Sequence, residues 1–270
     1  MTTNSQQSIG TTNKPQSIND KHGMLPSRRN AIVANQVVLW ISHHWVAVFI
    51  VLFGVFIALP WLAPILMEAG ATGGAKVIYT AYSFECHQLP ERAYYLFGTK
   101  SMYSLAEIQA TWETTNNPLL LRQFVGNEQM GYKVAWCDRT TAMYGSLWLL
   151  MLLWSPVSKR ISPLPFRFFA LFTLPIVVDG GTHFVSDFMG LGVGFCETNL
   201  WLATLTENIF PYWFYATDLL GSFNWWMRLL TGFLFSVGLF WLAYPQAEDF
   251  FTEMADRVEM KFRIAGIRQR

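Results

Sequence analysis

Residues 83–98 read SFECHQLPERAYYLFG and set a thiol (Cys86), an imidazole (His87), a carboxyl (Glu91) and a guanidinium (Arg92) within one short segment. Three further stretches carry reactive or ionisable groups. WCDRTTAMYG supplies Cys137, Asp138 and Arg139; DGGTHFVSD supplies Asp179, His183 and Asp187; NWWMRLLTG supplies Asn224, Arg228 and Thr231. Cysteine and histidine together are ligands for a soft metal such as zinc, so Cys86, His87, Cys137 and His183 form a candidate metal set. The spacing is not that of a paired CxxC site, and the same Cys86 and Cys137 could instead close a disulfide. Metal ligands, a disulfide and unlinked thiols all stand as readings at this level. The guanidinium forks of Arg92, Arg139 and Arg228 suit phosphate oxygens. With Asp179 they form a candidate substrate-binding set for an anionic lipid headgroup. Asp179, His183 and Asp187 recur at i, i+4 and i+8, which on a helix puts all three along one face.

These groups sit in an apolar chain. Of its 270 residues, 52% are hydrophobic, 16% aromatic and only 14% charged, against about 25% charged in a soluble domain. The net charge of +1 gives no argument for a nucleic-acid partner. Three cysteines are too few for a disulfide scaffold. Residues 45–67 contain no charge, and about 20 such residues cross a hydrocarbon core in one helix. Pro60 and Pro64 predict a kink or an end near the far side of that span. Residues 141–157, 166–187 and 226–244 predict three more spans. The third turns polar at Asp179.

The fold class that follows is an all-α membrane bundle of about four transmembrane helices, with interfacial helices in two outer loops, 68–140 and 188–225. Residues 1–26 form a polar leader, expected to be disordered. In the tail, 245–270, apolar residues at Phe250, Phe251, Met254, Val258 and Phe262 alternate with charges. That spacing suits an amphipathic helix on the inner leaflet or a plain cytosolic helix. Basic residues orient the bundle. Lys14, Lys21, Arg28 and Arg29 lie in the leader, Lys159, Arg160 and Arg167 in the loop between spans two and three, and five more in the tail. Four spans put all of them on one side, so both termini are expected in the cytoplasm of a cell-membrane protein, with the Cys/His/Arg/Asp segments outside. An ionisable group inside a span is expensive and finds a partner. Arg139 and Arg228 are at the right depth to pair with Asp179.

CHQLPERAYYLFG, CDRTTAMYG, PIVVDGGTH and NWWMRLLTG resemble, in that order, four signatures of the domain-of-unknown-function 2085 family of predicted integral membrane proteins. Ala142 stands where the family tends to have Gly, and His183 where it tends to have Gln. The resemblance implies a multi-pass membrane protein and no particular activity. Two functions remain open on the sequence. One is an outward-facing site that binds a metal or an anionic headgroup. The other is an accessory subunit of a membrane complex, in which the cluster serves only helix packing and a disulfide.

Overall fold

The computed structural model describes residues 26–154, 162–216 and 218–267. The leader up to residue 25, Lys159, Arg160, Arg268 and Arg270 lie outside them. In chain order the elements are α1 (Pro26–Glu68), α2 (Thr72–Tyr82), a 3-10 turn (Pro90–Arg92), β1 (Ala93–Leu96), α3 (Leu105–Thr111), α4 (Pro118–Leu121), β2 (Gly126–Asn127) and β3 (Gly131–Cys137). There follow α5 (Asp138–Trp154), α6 (Phe166–Phe188), α7 (Phe195–Thr198), α8 (Leu200–Leu205), α9 (Tyr212–Tyr215) and α10 (Phe223–Ile264). The chain is mostly helical, as its composition predicts. It also has a small antiparallel sheet, in the order β1-β3-β2, which the all-α expectation did not include. Among the described residues, three helices are long and apolar enough to cross a membrane: α1, α6 and α10. The expected second span, 141–157, falls on α5, which has 17 helical residues, and the end of that span lies beyond the described residues. A count of four spans is therefore not confirmed.

Helix α1 runs through Pro60 and Pro64 to Glu68 instead of ending at them. A proline has no N–H, so Pro60 cannot bond the carbonyl four residues back, at Phe56. The Tyr82 hydroxyl donates to that carbonyl at 2.6 Å and replaces the missing bond. The contact ties α2 onto α1. Phe56, Tyr82, Trp136 and Tyr144 then pack ring against ring, with centroids 5.1–5.5 Å apart, and join α1, α2, β3 and α5.

Helix α10 takes in both the expected fourth span and the tail without a break, through Pro245. The tail's apolar stripe is taken up only in part, with Val258 and Phe262 buried, Phe251 and Met254 half-buried and Phe250 exposed. Trp45 of α1 stacks on Phe251 and donates to Glu248 at 3.0 Å. Where α10 passes α5, Gly232 lets the backbones close up: a Cβ there would stand 3.1 Å from the Arg139 carbonyl oxygen. Small residues permit this kind of approach between membrane helices. Ser236 uses it to donate to the Met143 carbonyl at 2.5 Å.

Candidate functional site

The four polar segments meet at one end of the bundle. Strand β3 runs straight into α5, so Cys137 is the last strand residue while Asp138 and Arg139 open the helix. Helix α6 carries Asp179, His183 and Asp187 to the same end on one face. Ser222 caps α10, its side chain accepting from the Trp225 N–H at 3.2 Å, and the first turns of that helix bring in Asn224, Arg228 and Thr231. The 3-10 turn delivers Arg92 from the other side.

Two guanidiniums are neutralised completely. Arg92 donates to both carboxylate oxygens of Asp187 at 2.8 and 2.9 Å and to Asp218 at 3.0 Å; Glu197 lies 3.3 Å away. Arg228 donates through Nε to Asp138 at 2.8 Å and through Nη1 to Asp218 at 2.6 Å. Asp218 thus bridges two arginines, and Asn224 donates to it at 3.2 Å. Burial pushes the Asp218 carboxyl up, but the Arg228 and Arg92 charges outweigh that and hold it ionised. Glu197 goes the other way: burial and the Asp218 charge push it up to about 8. Arg139 pairs with Asp179 at 2.8 Å, and the Thr231 hydroxyl donates to the same carboxylate at 3.1 Å.

Beside this network lies a cavity of about 270 Å³. It is lined by the polar side chains of Cys86, Cys137, Arg92, Arg139, His183 and Arg228 and by the apolar Leu89, Pro118, Phe184 and Phe188. Phe188 is 78% exposed on the surface of α6, one of the membrane-spanning candidates. The Cys86 sulfur is cradled by backbone donors, the Gln88 N–H at 3.4 Å and the Cys137 N–H at 3.3 Å. Gln88 adopts a left-handed φ of 53°, which turns its N–H back toward that sulfur. The Cys137 thiol points at Cys86 as well, and this contact, with the two N–H groups, pulls the Cys86 thiol down to about 6 against its burial. Cys137 is pushed well up in turn. Its sulfur also lies 3.1 Å from the Thr140 hydroxyl. Two polar atoms of the lining residues, Arg139 Nε and His183 Nδ1, are buried with no hydrogen-bond partner among the described residues.

Behind the 3-10 turn a second buried pair is incompletely matched. Glu91 is buried and its carboxyl oxygens have no hydrogen-bond partner among the described residues. Burial pushes it up to about 7. Burial likewise brings Lys133 down to about 7, and its ammonium donates to the Gln88 and Arg122 carbonyls, both at 2.8 Å.

Residues 128–242 match DUF2085, a family of predicted membrane proteins. No curated protein and no solved structure matches the chain. The DUF2085 segment runs from just before β3 to within α10, so it contains Cys137, Arg139, Asp179, His183, Asp218 and Arg228. It starts after the CHQLPER segment, which the sequence resemblance included. Cys86 and Arg92 nevertheless make their contacts on residues of the DUF2085 segment, so the pocket is built from both parts of the chain.

Of the expected site residues, Cys86, His87, Arg92, Cys137, Arg139, His183 and Arg228 all line the one cavity, and Asp179 stands directly behind Arg139. The proposed zinc set of Cys86, His87, Cys137 and His183 shares the cavity without forming a site. Among the described residues, no group of three or more His, Cys, Asp or Glu is arranged to hold a metal ion. His87 sits exposed at the rim, and His183 lies 3.8 Å from Asp179, beyond hydrogen-bond range. All three cysteines are free thiols, Cys86 and Cys137 included. The reading of the arginines as anion receptors meets an electrostatic obstacle, because Asp138, Asp179, Asp187 and Asp218 already balance their charge. Asp218 and Glu197 were not anticipated. The sequence did hold a signal for Asp218, an isolated carboxyl in the aromatic stretch YATDLLGS, where a buried charge needs a partner.

Proposed function

We propose that this membrane protein holds an uncharged, lipid-soluble molecule bearing hydrogen-bond acceptors in the cavity beside α6. One observation carries the reading: Arg139 and His183 both line the cavity, each with a buried nitrogen, Nε and Nδ1, that has no partner among the described residues, and Leu89, Pro118, Phe184 and Phe188 line the same cavity with apolar surface. A buried donor without an acceptor costs about 1–3 kcal/mol. An acceptor oxygen that reaches the Arg139 Nε relieves that cost and adds no further charge to a cluster whose carboxyls already outnumber its guanidiniums. Phe184 and Phe188 lie on the face of α6 turned toward lipid, which gives such a molecule a lateral entry from the bilayer. The Lys and Arg distribution along the chain supports an outward-facing pocket and cytoplasmic termini.

The test is organic extraction of the protein purified from its native membrane, followed by mass spectrometry. The expected product is an uncharged carbonyl compound near one per chain. It should be lost in Gly180→Leu, whose side chain fills the cavity next to Arg139. Phospholipid alone, in equal amounts from both proteins, overturns the reading. That outcome supports the second function, an accessory subunit whose polar cluster serves only packing. The complete pairing of Arg92 and Arg228 favours this alternative, since that network is satisfied without any ligand.

A further inference from the structure

We infer that Cys86 and Cys137 are a redox-active dithiol whose oxidant is a membrane quinone seated in this cavity. The inference rests on the pocket reading above and names its ligand class and its chemistry. Three features of the cavity lining converge on it. The first is the placement of the thiols: the Cys86 sulfur accepts the Cys137 N–H at 3.3 Å, so the two side chains leave the backbone side by side, and both line the cavity. The second is activation: two backbone N–H groups point at the Cys86 sulfur, an arrangement that favours a thiolate, the nucleophilic form. The third is the pair of unpartnered nitrogens on the lining residues Arg139 and His183, of which Arg139 Nε is a donor suited to a carbonyl oxygen of a ring. Phe184 and Phe188 flank that ring with apolar surface. The cavity, about 270 Å³, is near the small end of ligand pockets and suits one substituted ring better than a fused polycycle. Quinones combine these properties in one lipid-soluble class: an uncharged electrophilic ring, carbonyl acceptors, and a capacity for two electrons.

The step balances. The Cys86 thiolate adds to the quinone ring, forming a C–S bond and placing negative charge on a carbonyl oxygen, where the Arg139 guanidinium stabilises it. Cys137 then loses its proton and attacks the Cys86 sulfur. The S–S bond forms, the C–S bond breaks, and the electron pair stays on the ring. The two thiol protons end on the two oxygens. Two thiols become one disulfide, and the quinone becomes a hydroquinone.

The experiment uses the full chain in lipid nanodiscs, with Cys196→Ser to leave only the two thiols, and decylubiquinone as probe without oxygen. Hydroquinone is followed by absorbance, the disulfide by mass spectrometry after alkylation, and binding by retention of the probe on the nanodisc. The expected result is one hydroquinone per Cys86–Cys137 disulfide. Cys86→Ser should give neither product, and Cys137→Ser should stop at a covalent quinone adduct on Cys86. Probe bound and displaced by Gly180→Leu, but with no disulfide formed, overturns the redox step and leaves the pocket reading standing. No binding difference between the parent and Gly180→Leu overturns both. Hydroquinone formed as fast by Cys86→Ser as by the parent also overturns the redox step.

Discussion

Two polar regions lie side by side at one end of this bundle, built from the same short segments and the same residue types. Around Arg92 and Arg228, carboxylates from three directions match the guanidinium donors, and Asp218 serves both. In the adjoining part, Arg139 Nε and His183 Nδ1 have no partner among the described residues, and the Cys86 sulfur collects donors without forming a disulfide to Cys137. Charge density does not separate the two regions, since both are rich in ions. Completeness does. A polar group that is buried and fully paired holds helices together, and one that is buried and left open is a place for something else to bind.

The strongest way to break this contrast is to open the closed half. Asp218→Ala leaves two buried guanidiniums short of a partner, and the loss should be about 3–5 kcal/mol, read as a fall in unfolding temperature in nanodiscs. If the variant unfolds like the parent, the Arg92 and Arg228 network is not what holds the site end together.

Glu91 tests the intermediate case, a buried carboxyl with charges nearby and no hydrogen-bond partner among the described residues. Its folded value of about 7 lies above the ordinary 4.5. Its contribution to stability is therefore fully present below about pH 4.5 and is lost as pH rises through about 7, at about 1.4 kcal/mol for each pH step between those two values. Glu91→Gln should remove that slope and be the more stable protein at pH 8. Parallel curves for the two proteins between pH 5 and 8 would contradict this account.

A smaller effect is expected at Tyr82. Tyr82→Phe leaves the Phe56 carbonyl unpaired and should cost about 1–2 kcal/mol. In a Pro60→Ala background the helix supplies its own N–H, so the same change should cost little. A cycle of the four proteins reads the difference, and equal costs in both backgrounds would remove the hydroxyl's assigned role. Least of all, Glu197→Gln should change stability by under about 1 kcal/mol in thermal unfolding at pH 4, where a carboxyl held up at about 8 is neutral and Gln reproduces it.

The sequence carried the convergence of the four segments, because ions in an apolar chain have few places to go. Asp179 needed a cation and found Arg139. The i, i+4, i+8 spacing of Asp179, His183 and Asp187 did become one face of a helix. What it did not carry was the sense of the charge. Arg92, Arg139 and Arg228 looked like a receptor for anions until Asp218 and Glu197 arrived from a loop whose aromatic residues drew attention to the bilayer. Long-range partners of this kind leave no periodic mark. Pro60 misled for a related reason: the donor that preserves α1 comes from Tyr82, on another element. The sheet escaped notice because β1 and β2 are four and two residues long, too short to show alternation.

Helix α10 runs 42 residues from Phe223 to Ile264, about 63 Å at 1.5 Å per residue, or twice the thickness of a hydrocarbon core. One end holds Arg228 against Asp138 at the cavity, and the other holds Phe262 at the far limit of the fold. A single element therefore joins the cavity, through Arg228, to the packing of Phe251 on Trp45 at the other end of the bundle, and a substitution at either place falls on the same helix.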